Sequence, residues 1–179
     1  MAVRTACGSG RVLCVEDPPA TAGGSDKNMA REHKEVGITE LLSRTRIEVA
    51  PATYFLIGLR HEDWTRLLQN PELSPRGDAP FMLLRDPFEV TLLLDETDWR
   101  TLRHAARDAR VEGGFRLVTL DIELKWNVVG YLARVTEILA GVGVSCGALS
   151  AFSRDHLLIK QDDLATALRV LGEHVAELC

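Results

Sequence analysis

From Thr45 onward the apolar positions recur with two alternating periods. Arg46 to Val49 and Thr53 to Leu59, separated by Ala50-Pro51, read as strands. His61 to Leu68 places Trp64, Leu67 and Leu68 at i, i+3 and i+4, one face of a short helix. Asn70-Pro71 and Ser74-Pro75-Arg76-Gly77-Asp78 predict a long exposed loop. Phe81 to Arg85 and Glu89 to Leu94, around Asp86-Pro87, predict a hairpin. Asp98 is expected to cap a helix running to about Asp108, and Gly113-Gly114 to end that unit.

The order then repeats. Phe115 to Leu124 reads as a strand with Val118, Leu120, Ile122 and Leu124 on one face, Leu117 breaking the alternation. Leu132, Val135, Ile138 and Leu139 form a helical stripe that Gly141 is placed to end. Val144 to Ala151 and His156 to Lys160 predict a second strand pair. Asp162 and Asp163 are expected to open a last helix with Leu164, Leu168, Leu171 and Val175 on one side.

The halves align at a constant offset of 65 residues. Phe81 to Trp99 falls on Cys146 to Leu164 without a gap, so Leu84 meets Leu149, Leu92-Leu93-Leu94 meets Leu157-Leu158-Ile159, and Asp98 meets Asp163. At the same offset Ile57 meets Ile122, Leu59 meets Leu124 and Leu67 meets Leu132. Strand, helix, hairpin and cap in register argue for an internal duplication. Each unit is β-α-β-β-α, one strand short of a ferredoxin-like βαββαβ sandwich. Only Ala176 to Cys179 follow the last helix, so the strand at Arg46 to Val49, which has no counterpart, is expected to cross over and fill the missing edge. The expected fold class is therefore α+β: two tandem ferredoxin-like units, antiparallel sheets with helices on one face, and strand exchange between units.

Residues 1–44 differ from the rest. Gly8-Ser9-Gly10, Asp17-Pro18-Pro19 and Gly23-Gly24-Ser25-Asp26 are linker chemistry without periodicity. This segment is expected to be a mostly disordered leader, with a short helix within Glu35 to Ser43, and Met29 is an alternative start to Met1. The division is then 1–44 leader, 45–114 first unit and 115–179 second unit.

Composition narrows the function. Hydrophobic residues make up 46% and charged residues 26%, enough apolar matter for a core, and the net charge of −5 without a Lys/Arg block leaves no footprint for a nucleic-acid backbone. Cys7, Cys14, Cys146 and Cys179 form no CxxC pair and read as a reducing, cytoplasmic setting. No apolar run approaches the roughly 18 residues of a membrane span. The N-terminal stretch is broken by Arg11, Glu16 and Asp17, unlike a signal peptide. His33, His61, His104, His156, His174 and the cysteines show no metal-ligand spacing. Gly141-Val142-Gly143 follows a helix and precedes a strand, the reverse of a dinucleotide fingerprint. No cofactor is expected.

Several residues in the second half resemble the ACT domain. They are Leu120-Asp121-Ile122, Val128-Val129-Gly130-Tyr131-Leu132, Gly141-Val142-Gly143-Val144, and Ala148 through Ile159. More narrowly the chain is similar to short relatives of the CASTOR arginine sensors, with Glu89 to Glu96 resembling their hairpin strand in the first half. The resemblance spans about residues 45–175. It implies tandem ACT units that are not catalytic, a small-molecule ligand, typically an amino acid, at a unit or subunit interface, and a homodimer. It also implies that Asp155 contacts the ligand's amino or guanidino end.

The residues allow a site with its own logic. Trp126-Asn127-Val128-Val129-Gly130 precedes a helix, whose free N–H groups and dipole favour a carboxylate. Gly130 either admits a close ligand or lets the helix pack on the sheet. Asp155 either meets a ligand or bonds its own turn. The ligand-binding set is thus Asn127, Val128, Val129, Gly130, Ser150, Phe152 and Asp155. Trp64, Trp99 and Trp126 either form an aromatic box or pack in cores and interfaces. His156 reads as a structural histidine, and Asp121 and Glu123 as solvated strand positions. Two alternatives stay open: a ligand-independent protein interaction module, and an enzyme using Cys146 with His156 and Asp155, which lacks a recognisable oxyanion donor.

Overall fold

The computed structural model describes residues 37–70 and 78–179. The expected leader up to residue 36, the Met29 start and most of the loop after Asn70 lie outside these residues. The elements in chain order are α1 (Ile38–Arg44), β1 (Arg46–Val49), β2 (Tyr54–Leu59), α2 (His61–Leu68), β3 (Met82–Arg85) and β4 (Val90–Asp95). They continue with α3 (Glu96–Leu102), β5 (Arg110–Asp121), α4 (Tyr131–Ala140), β6 (Cys146–Ser150), β7 (Asp155–Lys160), a 3-10 turn at Gln161–Asp163, α5 (Leu164–Gly172) and β8 (Glu177–Leu178). The short helix expected within Glu35 to Ser43 is α1, which buries Leu41 and Leu42.

β5 organises the sheet. Its N-terminal part, Arg110 to Phe115, pairs antiparallel with β2, and β4 and then β3 follow. Its C-terminal part pairs with β7 on one side and with β1 on the other. Each half therefore has a four-stranded antiparallel arrangement: β3-β4-β2-β5 in the first, β6-β7-β5-β1 in the second. β1 fills the edge that the second half lacks, so the strand exchange inferred from sequence is present. The exchange is mutual, because the start of β5 fills the same position in the first half. β8 then adds a two-residue parallel strand outside β1, an element the short C-terminal tail did not predict.

The join between the halves lies within a strand. Gly113-Gly114 does not end the first unit; it lies inside β5. Tyr54 faces Phe115 while Leu56 faces Glu112, three steps on β5 against two on β2, which is a bulge. Gly114 has φ +75, a conformation natural to glycine, and a Cβ on Gly113 would come within 2.6 Å of the Phe55 ring. Lys160 Nζ donates to the Gly113 carbonyl at 2.9 Å and holds the bulge. The extra residue exchanges the two faces of β5. Before it, Val111 pairs with Ile57 of the first core; after it, Val118 and Leu120 face the second. Without the bulge, one half would turn its apolar positions away from its helices.

The helices cover one face of each half. Ile57, Leu59, Val90, Leu92 and Leu94 pack with Leu67 of α2 and Leu102 of α3. Ile47, Val118, Leu120, Leu157 and Ile159 pack with Tyr131, Val135 and Leu139 of α4 and with Ala167, Val170 and Leu171 of α5. A third cluster occupies the opposite face, where Tyr54, Leu93, Leu117 and Leu158 are buried together. Leu117, the break in the sequence alternation, belongs there. Leu93 and Leu158, 65 positions apart, meet in the same cluster and tie the two halves through the back of the sheet.

Two sequence expectations shift. Asp95, not Asp98, is the N-cap of α3: its side chain accepts from the Asp98 N–H at 2.8 Å. Asp163 makes no side-chain cap, because the 3-10 turn precedes α5. The gap-free 65-residue register holds for the hairpins, since β4 (90–95) maps onto β7 (155–160). It fails for the first strands. Ile57 faces Leu92 and Val118 faces Leu157, so Leu157 lies 65 positions after Leu92 but Val118 only 61 after Ile57. The structural partners are Ile57 with Val118 and Leu59 with Leu120, rather than with Ile122 and Leu124.

Candidate functional site

The two halves differ sharply in the connection from first strand to first helix. In the first half one residue, Arg60, joins β2 to α2. In the second, nine residues, Ile122 through Gly130, join β5 to α4. The short connection is closed over: His61 Nε2 donates to the Asp86 carbonyl of the β3–β4 hairpin at 2.9 Å, and Asp86 Oδ1 accepts the N–H groups of Phe88 and Glu89. The long connection and the β6–β7 hairpin leave an open pocket of about 260 Å³ between them.

Five of the seven sequence-predicted ligand residues line this pocket: Val128, Gly130, Ser150, Phe152 and Asp155. Asn127 and Val129 lie on the same loop but outside the lining, both exposed. Val128 also packs against the second core, which anchors the loop. Sequence reasoning missed Leu124, Lys125 and Tyr131 as lining residues; Tyr131, directly after Gly130 in the quoted motif, was the available signal.

Gly130 sits at the N-cap of α4 with φ +90, and no side chain caps that helix. No atom lies within 4 Å of where a Gly130 Cβ would stand, so helix packing on the sheet does not account for the glycine. The left-handed backbone does. Asp155 does not bond its own turn either. Its Oδ1 accepts the Ser150 hydroxyl at 2.6 Å, across the register pair Ser150–Asp155. Arg154 donates to Asp121 at 2.6 Å and the Ser153 carbonyl accepts the Leu124 N–H at 3.3 Å, so the hairpin tip is tied to the loop. Asp121 is thus an ion-pair partner rather than a free solvated position.

Tyr131 links the pocket to the interior. Thr45 gives its hydroxyl proton to the Leu41 carbonyl at 2.9 Å, so the Tyr131 hydroxyl donates to Thr45 at 2.8 Å. Burial pushes the Tyr131 phenol up from its ordinary value, and nearby Asp155 adds to it.

The three tryptophans form no common box. Trp64 and Trp99 pack on the first core, Trp99 with its ring 6.2 Å from that of Phe55, while Trp126 lines the pocket. The Cys146, His156 and Asp155 set does not assemble. Cys146 packs against the second core, where burial pushes its thiol up, and alternation from the buried Leu157 turns His156 to the opposite face.

His156 instead hydrogen-bonds Thr119 at 3.0 Å. Burial lowers its pKa, Asp155 pulls it up and Arg154 lowers it further. The folded chain thus resists protonating His156 more than the unfolded chain does. Stability held by the neutral ring is complete above the unfolded value of 6.5 and falls as pH drops through it, until the folded pKa is passed as well. Urea midpoints are expected to fall between about pH 7.5 and 5.5, and His156→Gln to flatten part of that fall. An unchanged slope in the variant would remove His156 from the account.

Residues 110–173 match the ACT domain family model. No curated protein matches the sequence. Among solved structures, a protein from Agobacterium tumefaciens is similar at 18% identity and TM-score 0.60, covering 76% of this chain and 92% of its own. A Vibrio cholerae protein of unknown function is similar at 21% identity and TM-score 0.56, covering 79% and 96%. The ligand-free regulatory subunit of aspartate kinase from Thermus thermophilus is similar at 11% identity and TM-score 0.54, covering 74% and 98%. These structures share the fold. An ACT domain is therefore found over residues 110–173, within a mixed α+β chain that shares its fold with the regulatory subunit of aspartate kinase.

Proposed function

We propose that this protein is a non-catalytic regulatory module that senses an amino acid or similar metabolite. The ligand lies between the β5–α4 connection and the β6–β7 hairpin. The observation that carries this reading is the asymmetry of the two halves. In the first, the strand–helix junction is tied to its hairpin by the His61–Asp86 hydrogen bond, and in the second a pocket lies between junction and hairpin, around an uncapped helix start and Asp155. A ligand carboxylate is favoured at the start of α4, and an amino group at Asp155. ACT regulatory domains bind small molecules, often amino acids, and oligomerise, in keeping with the regulatory subunit of aspartate kinase among the similar folds.

The reading extends to a tandem of ACT units over residues 45–114 and 115–179, the arrangement of the CASTOR relatives, and to a homodimer. The first half keeps the strand order and supplies the shared strand β5; its pocket of about 250 Å³ is lined by Leu59, Asp63, Arg66 and residues 104–109 and not by the β3–β4 hairpin. Among the described residues β3 and β6 end the strand order with unpaired edges, and Leu83 and Leu84 of β3 are exposed. Those exposed leucines also favour the second reading, a protein interaction module that needs no ligand. Thermal-shift measurement against the twenty amino acids separates the two. A ligand at 100 times its dissociation constant adds about 2.7 kcal/mol to stability. No shift with any of them rejects the amino-acid reading, and a monomer by light scattering rejects the dimer.

A further inference from the structure

The pocket has an apolar side that its polar groups do not explain. Trp126, on the β5–α4 connection, is 88% exposed, and Phe152, at the hairpin tip, is 89% exposed. Both line the pocket, from its two different walls. A single exposed aromatic needs no account. Two of them lining one concavity together with a carboxylate are the composition of a small-molecule site: apolar surface for most of the ligand and a few polar groups to orient it. The other two tryptophans, by contrast, are packed on the first core.

The charges narrow the ligand further. Lys125 and Arg154 line the same pocket beside Trp126 and Phe152, and Arg154 already engages Asp121. A cationic side group stacked on the rings would lie near two positive charges, with Asp155 already needed for the amino group. An anionic side group would exchange its hydration for apolar walls.

We propose, building on the ligand reading above, that the pocket selects zwitterions with a large uncharged apolar or aromatic side group. Trp126 and Phe152 are the residues that select it. Phenylalanine-like and leucine-like amino acids are the class; arginine, lysine and aspartate are disfavoured.

The test is calorimetric titration of the full chain with L-phenylalanine, L-leucine, L-alanine, L-arginine and L-aspartate, repeated on Trp126→Ala and Phe152→Ala. Both side chains are in water, so the variants should unfold at the wild-type temperature. Phenylalanine and leucine are expected to bind at least about tenfold more tightly than the others, and each variant to lose about tenfold for phenylalanine while alanine binding is unchanged. Tight binding of arginine or aspartate overturns the selectivity and leaves the pocket reading standing. So does phenylalanine binding that both variants retain. If none of the five binds, the selectivity falls, and the amino-acid reading falls with it when the thermal-shift screen of all twenty is also blank. If the variants instead turn a dimer into a monomer with phenylalanine binding intact, the aromatic pair belongs to a subunit contact and the inference fails.

Discussion

Replacing Ile47 by alanine is expected to lower the free energy of unfolding by about 2–5 kcal/mol, a large share of what holds a domain of this size together. Ile47 is 0% exposed and lies opposite Leu120, also 0% exposed, in the core formed with α4 and α5. Its strand is short and comes from before the first half, yet it supplies the edge of the second half's sheet. Truncation leaves a cavity between β1, β5 and the helices. Only the two-residue β8 lies beyond β1, so the strand has some room to relax and the lower part of the range is as acceptable as the upper. Glu48→Ala, one residue on and exposed, should change stability by less than about 0.5 kcal/mol. Urea denaturation of both variants reads the difference. Equal midpoints would mean that β1 does not close the second half's sheet in solution.

The strand exchange was legible because Arg46 to Val49 reads as a strand with no counterpart at the 65-residue offset, so it had to pair outside its own unit. What escaped the sequence was the mutual half of the exchange. Arg110, Val111 and Glu112 hold a single apolar residue, too short a run to register as a strand, and Gly113-Gly114 reads as a turn. The strand forms there because β2 supplies hydrogen bonds and Phe55 packs its ring against Gly113, both tertiary effects. The misplaced helix cap has a local cause: Asp95 and Asp98 are three apart, the spacing of cap and N3, and either can be read as the start.

The site was legible in its parts and hidden in its frame. Gly130, Ser150, Phe152 and Asp155 all line the pocket, because a glycine before a helical stripe and an acid at a hairpin end are local signals. The gap-free alignment concealed what makes the halves unequal. Matching leucines on strands fit at several registers, since period-two apolar runs match at every even shift. The β5–α4 connection is eight residues longer than its counterpart, nine against one, and the shorter α4–β6 connection takes back part of that excess before the hairpins, so the error in the repeat falls on the pocket itself. Lys125 and Tyr131 entered the lining through that longer connection, which no propensity of their own could announce.

Asp155→Asn is expected to weaken amino-acid binding by about ten- to a hundredfold while leaving stability nearly unchanged, the charged hydrogen bond to an ammonium being worth roughly 1.5–3 kcal/mol. The substitution keeps an oxygen to accept the Ser150 hydroxyl, so the hairpin pair Ser150–Asp155 retains its hydrogen bond. Only the charge is lost. Asp155 is half-buried at the first position of β7, between an apolar rim and the start of α4, where a carboxylate is less screened than on open surface. The same variant should lower the Tyr131 phenol pKa slightly, because Asp155 is one of the groups raising it. That gives a readout in the protein without ligand. Ultraviolet titration of the tyrosines, set beside calorimetry with the amino acid that binds the wild-type chain, separates two outcomes. A shifted phenol with unchanged affinity places Asp155 beside Tyr131 and removes it from ligand contact. A lost affinity with the unfolding temperature preserved assigns it the ammonium. Asp121→Asn serves as the comparison: it releases Arg154 and should loosen the hairpin tip. It should cost less affinity than Asp155→Asn if Arg154 only ties the hairpin to β5.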